Sequence, residues 1–263
     1  MPNRALLTAA TGMQVQQQNV DNIANNLANA STNGFKRTRI EFQDLMYQNM
    51  RAAGGAANAS TNLPVGLQIG MGARSIATER LFAQGEYKQT GNPLDMVIEG
   101  SGFFQVRQAN GDLAYTRNGS FHLNNQGQVV TASGEFLEPA ITIPTEATSV
   151  TVGNDGTVSV TLPGQTSDQN IGQIQLAIFA NPAGLEALGR NLYRETGASG
   201  QATAGSPDAN GIGRLSQGMV EGSNVNVVEE LVNMISAQRM YETNSKVIST
   251  ADRMLGTINQ AVN

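Results

Sequence analysis

Residue types that carry chemistry are few in this chain and poorly placed for it. His122 is the only histidine among 263 residues and cysteine is absent. A thiolate or two-histidine metal site therefore cannot be assembled, and disulfides are excluded. Ser120 stands two positions from His122, so a serine, histidine and aspartate trio can be written on paper. The strand-to-helix elbow that would expose such a nucleophile is missing. Gly100-Ser101-Gly102 opens the strand-like run GFFQV, whereas a dinucleotide fingerprint must follow a strand and open a helix. Gly211-Ile212-Gly213 has no helix directly behind it and fails the same test. Asn29-Ala30-Ser31, Asn58-Ala59-Ser60 and Asn118-Gly119-Ser120 match the glycosylation acceptor pattern, as chance allows in a chain this rich in Asn and Ser. Met234, Met240 and Met254 suit helix packing better than a promiscuous groove. No catalytic, cofactor-binding or metal-binding residue is expected, and no enzyme activity, cofactor or small-molecule substrate.

Composition points away from nucleic acid as well. The net charge is −5 and no basic patch stands out. Charge is also uneven: residues 118–189 contain no Lys or Arg, while Glu135, Glu138, Glu146, Asp155, Asp168 and Glu186 fall inside that interval. This predicts an acidic middle, read as a solvated surface or as a face held against a basic partner. The start, with a single Arg4 and short apolar runs broken by Thr, Gly and Gln, does not read as a secretory signal peptide. No run approaches the roughly 18 apolar residues needed to span a bilayer.

The elements stand out more clearly than any site. From Val227 every seventh residue is apolar: Val227, Met234, Tyr241, Ile248, Leu255 and Val262. That spacing keeps one seam on the same side of a helix and marks a coiled-coil contact. Ala237, Met240, Val247, Ala251, Met254 and Ile258 widen the seam. Ser223 and Asn224 precede Glu229 and Glu230, which predicts a helix capped at Asn224 with acidic residues in its first turn. At the other end Leu6, Met13, Val20 and Leu27 recur at seven, with Ala10, Ile23 and Ala24 between them. This predicts a first helix over residues 3–30, stopping near Asn33-Gly34. Its second half is loaded with Asn19, Asn22, Asn25, Asn26 and Asn29, poor helix formers whose amides compete for backbone groups. Burial must hold it helical. The two helices ask for each other, or for copies of themselves.

Between them, Lys36, Arg37 and Arg39 read as a cationic complement to the end of the first helix. Residues 50–64 read as a flexible loop. From about residue 67 to 179 the period changes to two, in runs such as LDMVIE, GFFQVR, AYTR, SFHL, QVVT, SVTV, TVSVTL and QIQLAIF. Asn110-Gly111, Asn118-Gly119, Gln126-Gly127, Ser133-Gly134, Asp155-Gly156 and Pro163-Gly164 supply tight turns. Residues 198–218 read as a second supple connector. The expected fold class is mixed α and β: long N- and C-terminal α-helices forming a coiled-coil domain, with a central all-β domain. Helical faces too long for a small sheet module should pack on neighbours, and head-to-tail contacts that do not close give a helical tube.

The run NNLANASTNGFKR over residues 25–37 resembles the signature of bacterial flagellar rod and hook proteins. Asn25, Asn26, Ala28, Asn29, Thr32, Gly34, Phe35 and Lys36 carry it. The run EGSNVNVVEELVNMISAQRMYETNSKVI over residues 221–248 resembles the paired carboxy-terminal motif. LPVGLQIGMGAR, FAQGEYKQTGNPLDMVIEGSGFFQV and AYTRNGSF resemble the central module of these axial proteins, so the likeness covers nearly the whole chain. Length and residues 47–68 look like the distal-rod branch, with the proximal-rod branch as the alternative.

The resemblance implies a non-enzymatic structural subunit built in three parts. Residues 1–33 and 224–263 would form the helical inner-tube domain. Residues 34–93 and 198–223 would be a connecting region with a rod-specific loop, and residues 94–197 an outer β domain. It implies a straight, hollow helical homopolymer in the flagellar basal body, spanning the periplasm to the outer membrane and transmitting motor torque. Expected partners are copies of the chain, proximal rod proteins, the hook protein, the P-ring and L-ring proteins and the flagellar type III export apparatus, with no cleaved signal. Leu6, Met13, Val20, Ile23, Leu27, Leu231, Met234, Tyr241, Ile248, Leu255, Ile258 and Val262 are expected at subunit interfaces. An adhesin-like β module and a peptidoglycan-processing enzyme are the readings from other classes. The first leaves the matched terminal heptads unexplained, and the second lacks catalytic carboxylates or a metal site in a cleft.

Overall fold

A computed structural model describes residues 2–51, 56–58, 61–62, 65–164 and 167–262. The chain divides into two compact units, one of Met1–Ala28, Thr38–Glu79 and Asn226–Asn263, the other of Asn29–Arg37 and Arg80–Val225.

The first unit is dominated by its two helices, α1 (Pro2–Ala28) and α2 (Val227–Val262). At 36 residues, α2 is about 54 Å long at the standard rise. Its cap is Asn226, whose Oδ1 accepts the Val228 and Glu229 N–H groups at 3.0 and 3.3 Å. The expected cap, Asn224, works elsewhere: its Oδ1 accepts the Arg37 N–H, and its Nδ2 donates to Leu81 O and Ala83 O. The cap lies nearer the helix because the donors left free at a helix start can be reached only from the residue directly flanking them.

The helices run antiparallel, since Gly12 faces Asn244 while Gln16 Nε2 donates to Met240 Sδ at 3.5 Å. A Cβ on Gly12 would stand 2.9 Å from Asn244 Nδ2, so the missing side chain permits the close approach. The residues α2 buries are Glu230, Ala237 and Ala251, with Asn244 half-buried on the same line. The apolar heptad lies beside this line rather than on it. Small and polar residues fill the intramolecular seam, and larger ones border it or face outward.

The segments after α1 contain more regular structure than the sequence predicts. Thr38–Asp44 pairs with Ala73–Arg80, and Tyr47–Arg51 pairs with Leu67–Gly70. Within the expected loop, Met50 and Arg51 belong to a strand, and Ala56–Asn58 pairs with Thr61–Asn62. Residues 52–55, 59–60 and 63–64 of that loop lie outside the described residues.

Among its described residues the second unit is built of strands and one short 3₁₀ turn at Pro182–Gly184. Its main sheet runs Phe121–Leu123, Val129–Thr131, Phe136–Glu138, Phe103–Arg107, Leu113–Thr116, Leu192–Arg194 and Glu186–Gly189, with Leu176–Ile178 also paired to Phe103–Arg107 and Thr203–Gly205 paired to Leu176–Ile178. Period-two alternation places Phe104, Val106, Ala114 and Leu137 in the core with Phe121, Ile174, Leu176 and Leu215. Phe103, Tyr115, Phe179 and Tyr193 form a second cluster, joined edge to face at centroid separations of 4.8–6.0 Å, the arrangement the ring quadrupoles favour.

Five of the six expected glycine turns, at Gly111, Gly127, Gly134, Gly156 and Gly164, take positive φ. Asn118-Gly119 does not: Asp95 pairs with Ser120, and Gly119 O accepts the Met96 N–H, so this step lies alongside a neighbouring strand. Residues 198–218 are likewise more than a connector, because Arg214–Gln217 pairs with Met96–Glu99 and buries Leu215. At Gly213 the backbones approach closely, since a Cβ there would stand 2.5 Å from Glu99 O.

Candidate functional site

The residues with chemical potential do not converge. His122 is exposed, opposite Val130 across a strand pair, and Ser120 is half-buried with its N–H on Asn118 Oδ1. Among the described residues no group of three His, Cys, Asp or Glu could hold a metal ion. The two glycine pairs meet each other instead. Gly213 N–H donates to Ser101 O at 2.7 Å, and a Cβ on Gly100 would lie 3.3 Å from Gly213 Cα.

What does converge is charge, inside the second unit. Lys36 and Glu221, 185 residues apart, form an ion pair at 2.6 Å with both side chains sealed from solvent. Lys36 Nζ also donates to Ala83 O at 2.7 Å, and Glu221 Oε1 accepts the Gly85 N–H at 2.9 Å. Arg117 approaches the other carboxylate oxygen, Nε to Oε2 3.7 Å, while its Nη2 donates to Gly100 O at 2.8 Å and its guanidinium lies 5.6 Å from the Phe103 ring centroid. Burial strips water from the ammonium and pulls the Lys36 pKa below its ordinary value, with the Glu221 charge opposing. Burial acts the same way on Arg117. Two cations and one carboxylate with no water cannot rearrange cheaply, because losing one partner strands a buried charge.

This cluster is a clasp. Lys36 lies in the segment that leaves α1 and Glu221 in the segment that enters α2. Main-chain N–H groups also tie the same two segments: Gly34 N–H donates to Glu221 O at 2.8 Å, and Arg37 N–H donates to the Asn224 side-chain Oδ1 at 2.7 Å. Gly34 has φ 71, and a Cβ there would stand 2.6 Å from Asn118 N, so both its conformation and its packing require glycine. The expectation that Lys36 and its neighbours complement the helix end is therefore corrected. Lys36 is spent on Glu221, and Arg39 bridges Glu41 and Glu79 at the surface. The usable signal was the presence of a lone charge in each of two distant motifs, NGFK and EGSN.

The motif residues have distinct duties. Asn26, buried, uses Oδ1 to accept the Thr38 N–H at 3.0 Å and Nδ2 to donate to Thr38 O at 2.9 Å, imitating a strand partner. Asn22 Nδ2 donates to the same carbonyl at 2.8 Å, and the Thr38 hydroxyl donates to Asn22 Oδ1 at 2.6 Å. Asn29 O accepts the Thr32 N–H and its Oδ1 the Thr32 hydroxyl, turning the chain two residues before the expected helix end. Phe35 is buried, while Asn25 and Ala28 are exposed on α1. The asparagines that weaken helix propensity thus include the pair that anchors the first strand beyond the helix.

The residues expected at subunit contacts divide by burial. Ile23 is buried; Leu6, Met13, Val20, Leu27, Met234, Ile248 and Leu255 are half-buried; Leu231 and Tyr241 are exposed. The side chains of Ile258 and Val262 lie outside the described residues. Val228, Val232 and Ile235 are also exposed, at 71, 61 and 51 %, on the side of α2 away from the buried Glu230 and Ala237. In the acidic middle, Glu135 pairs with Arg190 and also accepts from the Thr131 hydroxyl, Glu138 pairs with Arg107, and Glu186 pairs with Arg194. Only the tertiary structure brings these arginines in from outside the run.

Comparison with known proteins agrees with this geometry. Residues 6–36 match the family described as flagella basal body rod protein, residues 97–160 the flagellar hook protein FlgE/F/G D1 domain, and residues 216–261 the flagellar basal body rod FlgEFG protein C-terminal. The chain is 52 % identical over 256 residues to the flagellar basal-body rod protein FlgG of Buchnera aphidicola subsp. Schizaphis graminum, covering 97 % of this chain and 98 % of the relative. It is 49 % identical to that of Caulobacter vibrioides, covering 98 % of each, and 40 % identical to that of Bacillus subtilis, covering 96 % of each. Lys36 and Glu221, the halves of the clasp, fall in the first and last of the matched segments, and the chain belongs to the flagellar basal-body rod protein family, as a structural subunit of the rod.

Proposed function

We propose that this rod subunit stacks on copies of itself into a straight, rigid, hollow helical shaft at the distal rod, which carries motor torque to the hook and leaves a bore for export. The observation that carries the reading is the outer face of α2. Val228, Leu231, Val232 and Ile235 form an apolar patch that α1 leaves uncovered, and exposed patches of this kind mark contact sites. Leu231 and Ile235 are about half exposed, so covering each would contribute about 1 kcal/mol.

In this reading residues 1–33 and 224–263 form the coiled-coil inner tube, residues 34–93 and 198–223 the connecting region, and residues 94–197 an outer β domain. Leu6, Met13, Val20, Ile23, Leu27, Met234, Tyr241, Ile248, Leu255, Ile258 and Val262 complete the subunit contacts. The ribbon of Tyr47–Arg51 and Leu67–Gly70, with the loop it bears, wedges between subunits and holds the shaft straight. Its support is exposure: Met46, Tyr47, Val65 and Leu67 are all more than half exposed, and a lone two-stranded ribbon is marginal in water. Proximal rod proteins, the hook protein, the P-ring and L-ring proteins and the type III export apparatus are the partners in this scheme, with the shaft crossing the periplasm.

The test is assembly of purified full-length chain, followed by sedimentation and electron microscopy. The Leu231→Asp, Ile235→Asp double variant should keep its circular dichroism spectrum and lose polymers. Straight polymers from that variant would sink the proposed contact. Straight polymers from a chain lacking residues 54–62 would sink the wedge alone.

A further inference from the structure

The geometry points to Asn210 as a site of spontaneous covalent modification, the one Asn–Gly step of this chain that the fold leaves open to deamidation. The sequence holds four such steps, Asn33-Gly34, Asn110-Gly111, Asn118-Gly119 and Asn210-Gly211. By composition alone they are equivalent. In the reaction the Gly main-chain nitrogen gives up its proton and attacks the Asn Cγ. The new C–N bond closes a five-membered succinimide, the Cγ–Nδ2 bond breaks and ammonia leaves with the proton. Water then opens the ring at either carbonyl, giving Asp or an isoaspartyl link that lengthens the main chain by one carbon. The only co-reactant is water. The rate depends on whether the glycine nitrogen and the amide are free to meet.

Three steps are tied down. Gly34 N–H is committed to Glu221 O at 2.8 Å within the clasp. Gly119 is buried, and Asn118 Oδ1 accepts the Ser120 N–H at 3.2 Å. At the exposed Asn110 turn, Gly111 N–H donates to Gln108 O at 2.9 Å, Asn110 Oδ1 accepts the Asp112 N–H at 3.1 Å, and Asn110 Nδ2 donates to Asp112 Oδ2 at 2.8 Å. Both reacting groups are held there.

The Asn210 turn is different. Asn210 and Gly211 are exposed, and among the described residues neither the Asn210 amide nor the Gly211 N–H has a hydrogen-bond partner. The turn is closed by other atoms, Asp208 N–H to Gly213 O at 3.2 Å and Ile212 N–H to Ala209 O at 2.9 Å. Asp208 and Asn210 also hold φ of 60 and 52, the left-handed region that Asp and Asn enter more readily than other non-glycine residues. The product adds a negative charge to a turn that already carries Asp208.

The test incubates the folded full-length chain in mildly alkaline buffer and follows tryptic peptides by mass spectrometry. The Asn210 peptide should gain about one dalton and yield isoaspartate. The Asn110 peptide should react about tenfold more slowly, the factor that one or two net hydrogen bonds impose through local opening. In denaturing urea the two rates should converge. Equal rates in the folded chain, faster reaction at Asn110, or a tenfold gap that survives unfolding would each overturn the assignment. Gly211→Ala should slow the Asn210 reaction alone, and unchanged kinetics in that variant would count against the mechanism.

Discussion

At Lys36 and Glu221 two ordinary surface residue types carry a structural task because water is excluded from both. Lys36→Met leaves Glu221 with only the Arg117 guanidinium, Nε to Oε2 3.7 Å, and should lower stability by about 3–5 kcal/mol, the range for breaking a buried pair. Urea denaturation followed by Tyr fluorescence checks this, and a loss below about 1 kcal/mol, the surface-pair range, would place the pair at the surface in energetic terms. The pH dependence has a definite sign. Because the folded Lys36 pKa lies below its ordinary value of 10.5, there is a window below 10.5 in which the unfolded chain holds a proton that the folded chain has released. Stability therefore rises with pH across that window. Tyr115 and Tyr193 shift the other way, raised by burial, and pull stability down above about pH 10. The stability difference between the native chain and Lys36→Met should thus widen as pH is raised from neutrality toward about 10.5. A constant difference would mean that Lys36 does not titrate differently on folding.

The elements are held by asparagines as much as by their apolar faces. Asn26 supplies both members of a strand-like pair to Thr38, so Asn26→Ala leaves the buried Thr38 N–H without this acceptor, while Thr38 O keeps the Asn22 amide. A loss of about 2–3 kcal/mol is expected, read as a lower denaturation midpoint, with Asn22→Ala milder because it shares the same carbonyl. The start of α2 gives a sharper contrast. Asn226→Ala should cost about 1 kcal/mol and fray the first turn, seen as lost amide protection at Val228 and Glu229. Asn224→Ala should leave that turn intact and instead expose the amides at Arg37. The reverse pattern would restore Asn224 as the cap.

For the molecule as a whole, the two units differ in how completely each covers itself. The second unit has two packed cores, whereas α2 exposes Val228, Leu231, Val232, Ile235, Met240, Val247 and Met254. Limited proteolysis of the unassembled chain should therefore cut the terminal helices and the 47–70 ribbon first, leaving two resistant peptides, one with Lys36 and one with Glu221, that stay associated through the buried pair. Simultaneous loss of the β unit would contradict this. The sequence by itself determined the two long helices, the change to period two between them, most of the strands from residue 94 to 179, five glycine turns and the flagellar rod kinship. Each of these rests on periodicity or on a short local signal, which survives without knowledge of distant residues. The tertiary structure alone decided that Asn244 faces Gly12 of α1, with Glu230 and Ala237 buried on the same line, while the larger apolar residues border it or turn outward. It also decided that Asn226 rather than Asn224 caps α2, that the acidic run finds arginines from outside itself, and that Lys36 meets Glu221. Those are choices among residues of equal local propensity, settled by which side chains the rest of the chain strips of water.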